Sequence, residues 1–151
     1  MQSFKLLKPH VYLDESNNGR RSEPTLKGGC CRCGFVFFPM QTYGCERCGS
    51  HGNALAPRSL STHGTLLASA VVHLHADKSR TTPFTIVKVA LDDGPVVRTL
   101  LASDCGDVAP GRRMKAKLEP LRGDDGETVF DLRFTTADQD HQEQHHGAPP
   151  Q

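Results

Sequence analysis

Two Cys-x-x-Cys pairs, Cys30–Cys33 and Cys45–Cys48, stand close together with residues 34–44 between them. Each pair places two sulfurs on one tight turn. Two such turns brought face to face make a tetrahedral four-sulfur site, the kind that suits Zn2+. A glycine follows each second cysteine, Gly34 and Gly49, and lets the backbone fold back beneath the ion. Spacing assigns Cys30, Cys33, Cys45 and Cys48 as the ligands. It leaves Cys31 outside, because Cys31-x-Cys33 has a single residue between its sulfurs. Four protein ligands leave no position for water or substrate, so the site is structural rather than catalytic. Zinc bound in this way contributes about 10–16 kcal/mol in model peptides, more than so small a module gains from burial. The segment is therefore expected to unfold without its metal.

Other uses of these cysteines fit less well. Five of the six fall within residues 30–48, and the N-terminus shows no secretion signal, which argues against a disulfide framework. Thioredoxin-like chemistry needs one such motif opening a helix after a strand, and no helical pattern follows either pair. A rubredoxin-like iron site has the same ligand set. Cys105, alone in "SDCGD", reads as a free thiol near a turn.

The chain has 151 residues and a formal net charge of +1. That is room for one ordinary domain or two small modules, without the charge excess of a general polyanion binder. No apolar stretch approaches the length of a membrane span, and the start of the chain has no apolar signal core. The expectation is a soluble, cytoplasmic protein.

Beyond the cysteines the pattern changes to strands and turns. "GTLLASAVVHLHA" (64–76) reads as a long strand entered at a glycine, and "FTIVKVAL" (84–91) as a central one. "DDG" (92–94) is a hairpin turn leading into "PVVRTLLA" (95–102). Period-two alternation is clearest near the end. Met114, Ala116 and Leu118 share one face, as do Phe130, Leu132 and Phe134, while Asp131 and Arg133 point to a wet outer face. Five strands with a break after the third make a mainly β chain. A small OB-fold barrel is the economical arrangement, because closure removes exposed edges. The expected organisation is an N-terminal extension (1–27), a zinc ribbon (28–50), a linker (51–59), the OB-fold (60–137) and a disordered His-rich tail (138–151).

The loop between the pairs carries Phe35, Val36, Phe37, Phe38, Pro39 and Met40. A zinc ribbon has almost no interior in which to hide them. Alternation sends Phe35 and Phe37 to one side, Val36 and Phe38 to the other. One side packs inward, and the other, left exposed, would make a partner-binding patch of Phe35, Val36, Phe37, Phe38 and Met40. The alternative is that both sides pack against the barrel.

Together "GGCCRCGFVFFPMQTYGCERCGS" and "PFTIVKVALDDGPVVRTLLASDCGDVAPGRRMKAKLEPL" resemble the proteins that join a rubredoxin-like zinc ribbon to an OB-fold and accompany thiolases. The likeness runs over about residues 26–136. It implies a non-catalytic subunit with structural Zn2+, docked in a hetero-oligomer on a thiolase-fold acyl-CoA enzyme and meeting acyl-CoA through that partner. Family partners include thiolases, steroid side-chain aldolases of thiolase fold and acyl-CoA hydratases. The "VFFPMQTYGC" wording is most similar to small subunits of benzoylsuccinyl-CoA-type thiolases. Three features depart from the pattern: "ESNNGRRSEP" stands where many members have an amphipathic helix, Cys31 stands where Arg or another polar residue is often found, and the His-rich tail has no counterpart.

Two other readings compete. Zinc ribbons and OB-folds both bind nucleic acids, but such a face needs aromatics among basic residues. Arg112, Arg113, Lys115 and Lys117 form only one basic stripe. The first three are instead candidates to meet the phosphates of CoA held by a partner. A stand-alone enzyme would need a phosphate loop, nucleophile elbow or metalloprotease motif, and the sequence has none. Asp92, Asp93, Asp124 and Asp125 fall in hairpin turns, where local backbone bonds account for them. His73 and His75 share a strand face without further metal ligands nearby.

Overall fold

A computed structural model describes residues 5–14 and 23–138. The expected tail lies outside these residues apart from Asp138. The described chain is mainly β, with ten strands and one short 3-10 turn, Gly52–Ala54. In order the strands are β1 (Lys5–Leu6), β2 (Tyr12–Leu13), β3 (Thr25–Cys31), β4 (Val36–Phe37), β5 (Leu55–Leu60), β6 (Gly64–Val72), β7 (Phe84–Leu91), β8 (Val96–Leu100), β9 (Arg113–Arg122) and β10 (Thr128–Thr136).

The last five form the barrel. β6 pairs antiparallel with β7, β7 with β8, and β9 with β10. β6 also pairs with the start of β9, at Gly64–Met114 and Thr65–Arg113. A parallel bridge from Leu101 to Phe134 closes the remaining gap between β8 and β10. The resulting circuit, first–second–third–fifth–fourth–first, is that of an OB-fold. Its interior is lined by the alternating positions of each strand, among them Leu66, Val87, Val89, Met114, Ala116, Leu132 and Phe134, all buried. Gly64 is required where β6 crosses β7: a Cβ there would lie 2.3 Å from the Ala90 carbonyl oxygen.

The smaller sheet is the ribbon, and it reaches beyond its expected limits. β3 runs between β5 on one side and both β2 and β4 on the other. The stretch 51–59, expected as a linker, is mostly β5, registered against β3 from Leu26–Leu60 to Cys31–Leu55. The N-terminal extension 1–27, in which a lead-in strand around 4–7 or 11–13 is a sequence-based expectation, supplies both: β1 joins the barrel sheet alongside β10, and β2 joins the ribbon.

Strand alternation gives the ribbon two different faces. Leu26 and Leu60, with Tyr12 beside them, join the barrel core, and Val36 and Phe38 pack against it. Cys31, Phe37, Cys45 and Leu55 form a second small core, with Phe35 and Met40 against it. The apolar run 35–40 is thus divided between two interiors. The expected partner-binding patch is half-buried rather than open: Phe37 is 7% exposed, Phe35, Val36, Phe38 and Met40 are half-buried, and the exposed large apolar side chains lie elsewhere, at Leu7, Leu13, Tyr43, Leu67, Val71, Leu74 and Val96. The Arg47 guanidinium lies 5.6 Å from the ring centre of Phe35, which in turn stacks on Phe37.

The outer face of β10 also differs from expectation. Asp131 is 4% exposed, because the segment around β2 covers it. The Tyr12 hydroxyl lies 3.1 Å from Asp131 Oδ1 and donates to the Phe130 carbonyl at 3.0 Å.

Candidate metal centre

The first cysteine turn caps the β3–β4 hairpin. The Cys31 N–H donates to the Phe35 carbonyl and the Gly34 N–H to the Cys31 carbonyl, each at 2.8 Å. The second turn repeats the device one residue wider: Cys45 N–H to Ser50 carbonyl at 2.8 Å, and Gly49 N–H to Cys45 carbonyl at 2.9 Å. Gly34 and Gly49 have φ of 90° and 76°, the left-handed region that glycine enters without penalty. A Cβ at either would meet nothing within 4 Å, so backbone conformation is what requires glycine there, not lack of room.

The sulfurs of Cys31, Cys33, Cys45 and Cys48 all lie within 4.8 Å of one another. Cys31 and Cys48 are separated by 3.6 Å and Cys33 and Cys45 by 3.7 Å. A tetrahedral zinc with Zn–S of about 2.3 Å requires sulfurs roughly 3.8 Å apart. The donor set and its spacing therefore fit a tetrahedral ion of that size, and no fifth side chain of the described residues enters the group.

One expected ligand is exchanged. Cys30 lies outside the cluster and Cys31 lies inside it. The reason is strand alternation. Cys30 pairs with Val36 and Ala56, on the barrel-facing side of the ribbon, and its thiol donates to the Cys31 carbonyl at 3.4 Å. Cys31 pairs with Leu55 and shares the face of Phe37. Spacing favoured Cys30 because an x-x interval suits a knuckle. It contained no information on which residue the hairpin register turns toward the second pair.

Crowding sets the protonation of these thiols. Cys48 is held down at about 6 by the Ser50 hydroxyl, 3.2 Å away, together with the Ser50 backbone N–H and the Cys31 thiol. For Cys31 the Cys33 backbone N–H favours the thiolate, but burial and the sulfurs of Cys48, Cys33 and Cys45 prevail and push it up to about 12. Burial opposes ionisation of Cys45, yet the N–H groups of Cys48 and Arg47 and the neighbouring thiols lower its pKa. Four sulfurs this close cannot all be anionic without a cation among them. Metal binding at this site therefore releases protons.

Gln41, which sequence reading passed over, orders the approach to the second turn. Its side chain accepts from the N–H groups of Tyr43 and Gly44 at 2.8 and 3.1 Å, and donates to the Gly44 carbonyl at 2.7 Å.

The basic stripe at the start of β9 is largely matched by acids. Arg113 forms a two-pronged pair with Asp92 at 2.8 and 2.7 Å. Lys117 pairs with Asp104 and Arg112 with Asp138. Asp93, expected to serve its own turn, instead accepts from the Ser61 N–H at 2.8 Å and faces Arg58. The His75 ring accepts from the Asp77 N–H and packs edge-on against Phe84, so it organises its own loop. Cys105 packs against the barrel core. Among the described residues no helix is long and apolar enough to cross a membrane.

No family model matches the chain, and no curated protein matches it. Among solved structures the fold is shared with a chain of one named "Ltp2-ChsH2(DUF35) aldolase", at a TM-score of 0.54 and 20% sequence identity, covering 72% of this chain and 84% of that one.

Proposed function

We propose that the protein is a non-catalytic, zinc-holding subunit that docks on a thiolase-fold enzyme acting on acyl-CoA and supports its activity. The observation that carries this reading is the four-sulfur cluster of Cys31, Cys33, Cys45 and Cys48, all of whose positions are taken by protein, set in a fold shared with a chain of an aldolase named for a DUF35 component. A metal held by four thiolates has no vacant position for substrate, so the ion serves as a fold-forming cross-link. The choice of Zn2+ rests on the all-sulfur donor set and its tetrahedral spacing. The partner's reaction is an aldol cleavage or a thiolysis. The likeness to the aldolase chain supports the first, and the resemblance of "VFFPMQTYGC" to benzoylsuccinyl-CoA-type thiolase subunits supports the second. A reducing, cytoplasmic setting agrees with six free cysteines.

In this reading Arg112, Arg113 and Lys115 face the phosphates of CoA bound on the partner. The exposed pairs of Arg113 with Asp92 and Arg112 with Asp138 are of a kind worth at most about 1 kcal/mol, which a phosphate can displace. The same pairing leaves little uncompensated positive charge for a nucleic-acid backbone.

Co-expression with candidate thiolase-fold enzymes tests the proposal. The expected result is a complex that survives gel filtration, acyl-CoA turnover that falls when this chain is omitted, and no turnover by this chain alone. Within the complex, Arg113→Glu with Lys115→Glu should raise the KM for acyl-CoA. Absence of a complex together with unchanged partner activity would refute it.

A further inference from the structure

β6 is paired on both sides only at its beginning. β9 accompanies it at Gly64 and Thr65, and Leu66 exchanges two backbone bonds with residues 111–112, Leu66 N–H to the Arg112 carbonyl at 2.9 Å and Gly111 N–H to the Leu66 carbonyl at 2.8 Å. A register shift follows between Leu66 and Ala68. From there to Val72 the strand is bound to β7 alone among the described residues.

Which backbone groups face the open side follows from the ladder. The Leu101 N–H donates to the Thr85 carbonyl, so Thr85 and its alternates on β7 direct their groups toward β8. Phe84, Ile86 and Lys88 then direct theirs toward β6, where their partners are Val72, Ala70 and Ala68. Alternation leaves Ser69 and Val71 with N–H and C=O groups directed away from β7.

This edge lacks the usual protection. Between residues 59 and 76 there is no Asp, Glu, Lys, Arg or Pro. Elsewhere the molecule guards its edges: β5 carries Pro57 and Arg58, and β1 carries Lys5 with Lys8 and Pro9 just beyond. Charges and prolines of this kind are how native sheets prevent edge-to-edge pairing. On β6 there are instead Leu67 at 44% exposure and Val71 at 54%.

We infer that the Leu67–Val72 edge pairs antiparallel with the same edge of a second copy of this chain, about a two-fold axis at Ala70. In that register Ser69 of one copy faces Val71 of the other, and each has the outward N–H and C=O that the other needs. Ala70 meets Ala70, so the crossing point carries the smallest side chain available to a strand. With no charged residue on the edge, two identical copies bring no like charges together. The result is an isologous dimer with a sheet continuous across the axis. The chain's own C-terminal segment is the competing occupant, since Asp138 pairs with Arg112 beside the start of the edge. Residues 139–151, "QDHQEQHHGAPPQ", contain no β-branched or aromatic residue and are poor strand material.

The test uses the purified full-length chain without any partner enzyme, so its outcome is separate from that of the subunit proposal. Analytical ultracentrifugation should show a monomer–dimer equilibrium across the micromolar to millimolar range. Ser69→Pro removes an outward donor and leaves the β7 ladder intact, and Val71→Lys charges the edge. Each should raise the dimer Kd by about tenfold or more with the circular dichroism spectrum unchanged. The register has its own readout, which does not depend on those variants folding. A non-hydrogen-bonded antiparallel pair sets its Cα atoms about 4.5 Å apart, within disulfide reach. Ala70→Cys should therefore form a linked dimer on mild oxidation where the parent chain and Ala68→Cys do not. A chain that stays monomeric throughout overturns the inference. So does dimerisation only after truncation at Asp138, which would show that the chain covers its own edge, and so does linkage through Ala68→Cys instead of Ala70→Cys.

Discussion

The Tyr12 hydroxyl stands 3.1 Å from Asp131 Oδ1, joining the second strand of the chain to its last. Both groups are buried, Tyr12 at 2% exposure and Asp131 at 4%. The contact is where the ribbon sheet is fastened to the barrel by polar bonds as well as by packing. Lys8 reaches the same carboxylate at 3.9 Å, and its backbone N–H donates to the Tyr12 hydroxyl at 3.3 Å.

Tyr12→Phe should destabilise the protein by about 1–3 kcal/mol, because it leaves a buried carboxylate short of a partner. Burial first, and then the charge of Asp131, push the Tyr12 phenol up to about 12. A folded-state value above the unfolded one means that the stabilisation is complete below about pH 10 and is lost as pH rises through about 12. Ultraviolet titration of the folded protein should show one phenol ionising near 12, absent from Tyr12→Phe. A common tyrosine titration in both proteins would contradict the assignment.

Metal content distinguishes the two adjacent cysteines. Cys31→Ser and Cys45→Ser should lose stoichiometric zinc in elemental analysis and destabilise the fold, whereas Cys30→Ser should keep both metal and stability. The reverse result for the Cys30 and Cys31 variants would mean that the β3–β4 hairpin closes one residue earlier than described.

Gly64→Ala should cost about 1–3 kcal/mol, since its Cβ would lie 2.3 Å from the Ala90 carbonyl oxygen and 2.8 Å from Val89 Cγ1. Neither is the free end of a flexible chain, so the β6–β7 pairing must shift to admit it. Thermal denaturation monitored by circular dichroism reads the loss. Gly44→Ala, where a Cβ meets nothing within 4 Å, is the matched control.

Acid should weaken the outer barrel. The bonded guanidinium of Arg113 holds the Asp92 carboxyl below its usual range, and the Lys117 ammonium does the same for Asp104. A lowered folded-state pKa gives stability that is present above about pH 4 and lost as pH falls through the folded values. Both carboxylates are exposed, so each effect is small. Asp92→Asn combined with Asp104→Asn should flatten the dependence of Tm on pH between about 4 and 2. An unchanged slope would remove these pairs from the account.

Much of the barrel was legible in the residues themselves. "FTIVKVAL" is β-branched and apolar and is β7 to the residue, Phe84–Leu91. Met114, Ala116, Leu132 and Phe134 lie inside as their period-two pattern required. Other features depend on pairings that no local pattern encodes. The stretch 51–59 reads as a connector because it contains Gly52, Asn53 and Pro57, and most of it is a strand only because β3 lies beside it. The burial of Asp131 depends on a segment more than a hundred residues earlier in the chain folding over it. Alternation correctly separated Phe35 and Phe37 from Val36 and Phe38, but it could not decide between an exposed side and two packed ones, and the second interior is the cysteine core rather than the barrel. The identity of the ligand at the end of β3 turned on the same uncertainty, since a shift of one residue exchanges the two faces of a strand.

The hairpin that carries the first two sulfurs also supplies Val36 and Phe38 to the barrel. Ribbon and barrel therefore share one packed core, in which Val36 and Phe38 lie against the cluster that includes Phe134. A chelator added to this protein would be felt not only at the tip but along whatever surface the barrel offers to others. Under the proposed role as a docking subunit, metal supply would thereby act on assembly.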